Sequence, residues 1–256
     1  MKIGIHGING KMGLAIATEA LHHREVQLVS ASVRAGHPWA GKQLREVSNL
    51  HVAGLRITAN LEQLCAPADV IIDFTRPDAT QILLPICRKL KKPLMIGTTG
   101  FNATTTDWIS KAATEIPIVL AANTSVGVTV LMEVSRRVAQ ILAPDSWDVE
   151  IFEAHHRNKV DAPSGTAIAT ARGIARARGA AGLGDVPDAP ESAPHGARGA
   201  RIDGVPVHAV RLRGLTASEE VLLGNPGEQL VIRTDSFDRA SFMPGVLLAV
   251  RSVSSR

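Results

Sequence analysis

Lys2-Ile3-Gly4-Ile5-His6-Gly7-Ile8-Asn9-Gly10-Lys11-Met12-Gly13 is the stretch that decides the fold. Lys2 to His6 reads as a short apolar strand. The glycines at 7, 10 and 13 follow it, and a helical stretch runs on to about His23. The spacing Gly-x-x-Gly-x-x-Gly is a variant of the dinucleotide fingerprint. The turn must be tight, the backbone must approach a pyrophosphate closely, and the helix must pack against the strand; each demand favours glycine. The helix start then offers unpaired N–H groups and a positive dipole end to phosphate. An ordinary strand-to-helix turn is the alternative, and the glycines alone do not separate the two.

Moving outward, strand and helix alternate. Val26 to Val33 is a second strand, and Asp69 to Phe74 a third, with the near-continuous apolar run of a strand covered on both faces. A helix is predicted over Asp78 to Lys91, where Arg88, Lys89 and Lys91 suit a helix C-terminus. Pro93 to Ile96 is a fourth strand, Thr104 to Thr114 a helix, and Ile116 to Ala121 a fifth strand. This order implies a Rossmann-type, doubly wound parallel sheet.

After Asn123 the pattern changes. A long helix is predicted over Val126 to Leu142, a strand over Trp147 to Ala154 followed by a polar, His-rich turn, and a helix over Ser164 to Gly179 with Ser164 as N-cap. Gly182 to Gly204 is rich in Gly, Pro, Ala and Asp without a period and reads as a mobile loop. Val205 to Leu212, Glu219 to Leu223 and Gln229 to Thr234 are strands separated by Gly-bearing turns, as in an antiparallel sheet. Arg239 to Val250 closes the chain as a helix. The expected architecture is α/β, a parallel-sheet domain plus a smaller α+β domain with a mostly antiparallel sheet. The boundaries fall at 1–125, joined by 236–256, and at 126–235.

Composition narrows the function classes. Of 256 residues, Lys and Arg number 28 and Asp and Glu 24, so the formal charge is +4, too small an excess to imply nucleic acid. Aromatics make up 3% and Tyr is absent, which disfavours single-strand binding by base stacking. No apolar run reaches the roughly 18 residues of a spanning helix, so no membrane partner is expected. The N-terminal apolar run is too short for a signal peptide, and the expected location is the cytoplasm. Cys65 and Cys87 form neither a disulfide framework nor a metal motif and read as buried thiols.

Glu153-Ala154-His155-His156-Arg157-Asn158-Lys159-Val160-Asp161-Ala162-Pro163-Ser164-Gly165-Thr166-Ala167 carries the chemistry. Lys159 supplies charge and the N–H groups of Gly165 and Thr166 open a helix, so a dianionic small molecule fits here. A histidine beside them delivers a proton near neutral pH. A surface His pair, or a satisfied core histidine, is the plainer alternative. Zinc lacks a further His or Cys at ligand spacing and is disfavoured by the lysine, so no metal is expected. At the end of the second strand, Ser30-Ala31-Ser32-Val33-Arg34 lacks the acid that reads a ribose hydroxyl. Arg34 stands where a cation could meet a 2′-phosphate, or it is a solvated surface residue.

In these pieces the sequence resembles the dihydrodipicolinate reductase family of the lysine route. The matching stretches are Gly7 to Gly13, Asp73-Phe74-Thr75-Arg76-Pro77, Ile96 to Phe101, Ala121-Ala122-Asn123, Ser125-Val126-Gly127-Val128 and Glu153 to Ala167, in the family's order. The resemblance implies a reductase of 4-hydroxy-tetrahydrodipicolinate that uses NADPH or NADH, built as a homotetramer through the sheet of the second domain. It implies that Gly7, Ile8, Asn9, Gly10, Lys11 and Met12 form the pyrophosphate loop. Gly97, Thr98 and Thr99, with Ala121, Ala122, Asn123 and Thr124, would line the cofactor. His155 matches the proton donor, Lys159 the second catalytic residue, His156 a substrate contact, and Ser164, Gly165 and Thr166 the carboxylate-binding turn. The sequence departs from the family where Thr124 replaces an aromatic and Val33 an acid, and with Arg34 retained the expected preference is for NADPH. Two rival classes remain. Another small-molecule dehydrogenase would share the glycine loop without needing His155 to Thr166. A non-catalytic nucleotide-binding relative would have lost His155 or Lys159.

Overall fold

The computed structural model describes residues 1–142, 147–188, 190, 192 and 194–254. The chain divides into two compact units, 1–124 with 242–256, and 125–241.

The first unit opens with β1 (Lys2–His6), α1 (Lys11–His22) and β2 (Gln27–Ser32). Three short elements follow where the periodicity predicts none, α2 (Leu44–Val47), β3 (Ile57–Thr58) and α3 (Leu61–Cys65). At two to five residues each, they are too short to leave a period. Next come β4 (Val70–Asp73), α4 (Pro77–Lys89), β5 (Leu94–Ile96), α5 (Ala103–Ala112) and β6 (Ile118–Leu120). The predicted strand and helix series is thus present, with ends shifted by a residue or two. The six strands are all parallel in the order β3-β2-β1-β4-β5-β6, the doubly wound arrangement.

Both faces of this sheet are covered, which is why β4 is apolar from Val70 to Ile72. Val70 and Ile72 pack in one core with Ile3, Ile5 and the α1 residues Ile16, Ala17 and Ala20. Ile71, on the opposite face, packs with Leu83, Leu84 and Cys87 of α4 and Ile109 of α5. The predicted terminal helix begins later than Arg239. Arg239–Phe242 is a 3-10 turn, and α8 (Met243–Ser254) then lays Met243, Val246, Val250 and Val253 into the first of these cores.

The second unit holds α6 (Val126–Leu142), β7 (Asp148–His156), α7 (Gly165–Ala180), β8 (Ala200–Ile202), β9 (Val205–Leu212), β10 (Ala217–Asn225) and β11 (Glu228–Ser236). Its sheet order is β11-β10-β7-β9-β8. Three of the four pairings are antiparallel, while β7 and β9 run parallel. Leu131 of α6 and Ala167, Ala171 and Ile174 of α7 pack against Val149, Ile151, Val207, Val221 and Leu223 of the sheet. Two expectations are corrected. The predicted loop over 182–204 contains β8, which pairs Ala200 with Val207 and Ile202 with Val205. Residues 189, 191 and 193 of that stretch lie outside the described ones. Strand β7 also continues past Ala154 through both histidines. Its polar end remains in register because Arg211 of β9 lies opposite His155 and serves the buried Glu153.

Candidate active site

Parallel strands bring every cofactor residue expected in the first unit to one sheet edge. Gly7 to Met12 follow β1, Arg34 follows β2, Gly97 to Thr99 follow β5, and Ala121 to Thr124 follow β6. The β1 and β4 strands at the centre are where the strand order reverses, the place at which doubly wound sheets bind ligands.

The glycine loop fits a dinucleotide. Gly7 has φ +81° and donates with Ile8 to the Ser32 carbonyl, both at 3.0 Å. A Cβ on Gly13 would stand 2.3 Å from the Gly7 oxygen, so only glycine lets α1 start this close to β1. The N-cap of α1 is Gly10, with no side-chain hydrogen bond and no acid in the first turn. The first helical bond there runs from Leu14 to Gly10 at 3.0 Å. The N–H groups of Lys11, Met12 and Gly13 therefore precede the ladder and form a donor set suited to an anion. Ile8 contributes backbone only, since its side chain is in the core, while Asn9 and Lys11 are exposed. Arg34 is exposed beyond β2, and Asn9 Nδ2 lies 3.3 Å from Nε2 of His37 in the loop that follows it. Thr98 is buried and accepts from the Thr75 N–H at 2.9 Å, tying the two loops after β4 and β5 together. Thr124 is also buried, where the small Gly245 of α8 leaves room for its carbonyl.

The second unit assembles the other set. Residues 153 and 155 alternate onto one face at the end of β7. His155 Nδ1 is 2.6 Å from Glu153 Oε2. Arg211 straddles the same carboxylate, with 2.9 Å to Oε2 and 2.8 Å to Oε1, and also donates to the Asp161 carbonyl at 2.6 Å. The Ser164 N–H donates to Glu153 Oε1 at 2.9 Å. Ser164 is the N-cap of α7, its hydroxyl accepting from the Ala167 N–H at 3.2 Å, as the sequence predicts. Gly165 and Thr166 are thus the first residues of that helix. Lys159 pairs with Asp161 at 2.7 Å, and its N–H donates to the His156 carbonyl at 3.0 Å. His156, Arg157, Asn158, Arg213 and Gly214 line a cavity of about 560 Å³.

Electrostatics separates the acids here. Burial by itself raises the Glu153 carboxyl; the hydrogen bonds from His155, Arg211 and Ser164 outweigh it and hold it at about 2. Glu219 lies directly opposite on β10, and burial pushes it up to about 7, against the Thr170 hydrogen bond and with the help of the Glu153 charge. Asp161 is lowered: burial raises it, but its bond to Lys159 prevails. Arg211 and Glu219 were not predicted as part of the site. The only sequence signal was a charged residue at an inward-facing strand position, one in each of two strands. Among the described residues no group of three or more His, Cys, Asp or Glu is placed to hold a metal, and no helix is long and apolar enough to cross a membrane.

Comparison with known proteins matches both units. Residues 1–124 fit the family described as dihydrodipicolinate reductase, N-terminus, and residues 127–256 fit dihydrodipicolinate reductase, C-terminus. A 4-hydroxy-tetrahydrodipicolinate reductase of Beutenbergia cavernae is 45% identical over 90% of this chain and 92% of its own. One of Corynebacterium diphtheriae is 40% identical over 99% and 93%. The dipicolinate-bound dihydrodipicolinate reductase of Paenisporosarcina sp. TG-14 superposes with a TM-score of 0.81 at 32% identity, covering 100% of this chain and 95% of that one. The chain belongs to the dihydrodipicolinate reductase family.

Proposed function

We propose that the chain reduces 4-hydroxy-tetrahydrodipicolinate to tetrahydrodipicolinate with a reduced nicotinamide cofactor, in the diaminopimelate route to lysine. The single observation that carries this reading is the joined assembly at the end of β7. There the His155 imidazole and the Ser164 cap of α7 share the Glu153 carboxylate, with Lys159 paired to Asp161 on the segment between them, a set of groups suited to a small dicarboxylate. A reduced nicotinamide supplies hydride when bound. The residues that hold it are the α1 N-terminus with Gly7 to Met12, together with Gly97 to Thr99, Ala121 to Thr124 and Arg34.

The remaining work belongs to side chains and peptide groups of the second unit. The Asp161 carboxylate meets both Lys159 and the Gly165 N–H at the start of α7, and a substrate carboxylate takes the place of that acid, with Ser164 capping the same turn. Lys159 offers its ammonium to a carboxylate as it does to Asp161, and His156 borders the cavity at the same strand end. His155 gives up the proton that completes the reduction. NADPH is preferred over NADH through Arg34 and Lys11. The outer face of the second sheet carries Phe152, Leu222 and Val231, and covering it in a homotetramer accounts for these apolar side chains. The enzyme acts in the cytoplasm.

The test is loss of nicotinamide absorbance with enzymatically generated substrate. His155→Ala should lower kcat by roughly 10²–10⁴-fold with little change in cofactor affinity. Normal turnover in that variant would remove the histidine from the reaction.

A further inference from the structure

Four donors converge on Glu153, whose side chain is fully buried. Both oxygens are occupied, Oε2 by His155 Nδ1 and Arg211, Oε1 by Arg211 and the Ser164 N–H. We propose that Glu153 is the positioning residue of this active site. It fixes the proton of His155 on Nδ1, leaves Nε2 as the only ring nitrogen that exchanges a proton with substrate, and anchors the substrate-carboxylate turn to the same group. The proposal deepens the reading of His155 as proton donor and rests on it.

The argument is one of donors and acceptors. Arg211 and a peptide N–H can only donate, so the carboxylate facing them is ionised and accepts. A carboxylate with no proton of its own can meet Nδ1 at 2.6 Å only if the ring nitrogen carries the hydrogen. The proton handed to substrate then leaves Nε2, and the neutral ring that remains is the Nδ1–H form already bonded to Glu153. No rotation of the imidazole is needed between turnovers. The charged and titratable groups around the ring agree with this assignment. On β9, Arg211 lies opposite His155. On β10, Ala217 lies opposite His155, and Glu219 lies opposite Glu153 with its carboxyl bonded to Thr170 of α7. On the loop after β7, Lys159 is paired with Asp161. Of these, the Glu153 carboxylate is the one that meets Nδ1.

Anchoring and proton placement are linked through the two oxygens. Ser164 is held by Oε1 and His155 by Oε2, so the cap that aims the α7 N–H groups and the ring that delivers the proton share one rigid carboxylate. A residue serving only to tie down the α7 cap would need Oε1 alone.

Long-range ¹⁵N–¹H NMR of histidine rings reads the tautomer directly, and His155→Ala assigns the signal. In the parent above the titration of the ring, the neutral His155 should carry its hydrogen on Nδ1. A parent ring with its hydrogen on Nε2 overturns the proposal, even if every variant at 153 fails to fold. In Glu153→Gln one amide oxygen replaces two carboxylate oxygens. With that oxygen accepting from Ser164 or Arg211, the amide NH₂ faces the ring and Nδ1 becomes the acceptor. The hydrogen should move to Nε2, kcat should fall on the order of 10²-fold or more, and the basic limb of the pH–kcat profile should move to lower pH. A folded Glu153→Gln that keeps the parental tautomer and pH profile overturns the proposal whatever its kcat. If His155→Ala turns over normally while the parent shows Nδ1–H, the proton-donor reading fails and the positioning geometry stands.

Discussion

The helices α1 and α7 both begin at a turn proposed to bind an anion, and the two turns are built in opposite ways. The α1 terminus is bare. Gly10 caps it without a side chain, and Gly7 and Gly13 are present for what they leave out. The α7 terminus is tied down. Ser164 caps it through its hydroxyl, and its own N–H is held by a buried carboxylate that also holds Arg211 and His155. A long pyrophosphate needs open backbone and close approach, so any side chain there is an obstruction. A compact dicarboxylate that must meet a proton donor at a fixed angle needs rigidity, which buried hydrogen bonds supply. The two termini therefore fail differently when altered.

Breaking the tie at α7 should have the largest effect on stability. Arg211→Met removes the cation paired with the buried Glu153 and two of its four hydrogen bonds, at a cost of about 3–5 kcal/mol. Chemical denaturation of parent and variant at pH 7 measures it; a loss below about 1 kcal/mol would mean that His155 and Ser164 suffice. The parent also carries a pH signature. The Glu153 carboxyl is held at about 2, below the ordinary range near 4.3, so its contribution is complete above about pH 5. It should be lost as pH falls from about 4.3 toward 2, a change of about 3 kcal/mol that Arg211→Met should reduce but not abolish, since His155 and Ser164 still hold the carboxylate.

At α1 the damaging change is an addition. Gly13→Ala places a Cβ 2.3 Å from the Gly7 carbonyl oxygen, a backbone atom that cannot swing away as the end of a flexible side chain would. We expect a loss of about 1–3 kcal/mol of stability. Cofactor affinity should fall as the loop is displaced, while binding of pyridine-2,6-dicarboxylate is retained. Calorimetry with each ligand separates the two. Equal loss of both would show that the first unit's loop is not specific to the cofactor.

A milder cut at α7 removes only the cap. Ser164→Ala loses the hydroxyl acceptor of the Ala167 N–H but keeps the peptide N–H that Glu153 holds. The cost should be about 0.5–2 kcal/mol in thermal unfolding. It should weaken dicarboxylate binding more than it lowers kcat, because His155 remains on Glu153. A fall confined to kcat would contradict the division between cap and proton donor.

The contrast between the termini also explains what the sequence made legible. Steric requirements leave a mark in residue type, so Gly7, Gly10 and Gly13 announced the first terminus, and Ser164 before Gly165 announced the second. The buried run of β4 was equally plain, since both faces of the sheet are covered. Partnerships across the fold left little mark. Arg211 lies far along the chain from Glu153, and its place on the inward alternation of Val205 and Val207 does not say which acid it meets. The same ignorance ended the predicted β7 at Ala154, because His155 and His156 look like a turn until the cross-strand partner is known. The elements α2, β3 and α3 were invisible for another reason, being too short to show a period.

The smallest expected effect sharpens the open terminus rather than breaking it. Arg34 is exposed and follows the end of β2, where an acid would accept from a ribose 2′-hydroxyl and repel a 2′-phosphate. Val33 is buried there and does neither. An arginine can still donate to the phosphate, and Lys11 in the exposed first turn of α1 adds a second cation of the same sign. Because both groups face solvent, screening trims the gain, and Arg34→Ala should reduce the NADPH-over-NADH ratio of kcat/KM by roughly three- to ten-fold, about 0.7–1.4 kcal/mol. The loss should sit in KM, since the contact is remote from the reacting atoms and acts equally in ground and transition states. The parental preference should also shrink as salt rises, and the Arg34→Ala preference should shrink less. An unchanged cofactor ratio in Arg34→Ala would leave the arginine a solvated bystander and confine recognition at this terminus to the backbone of the glycine loop.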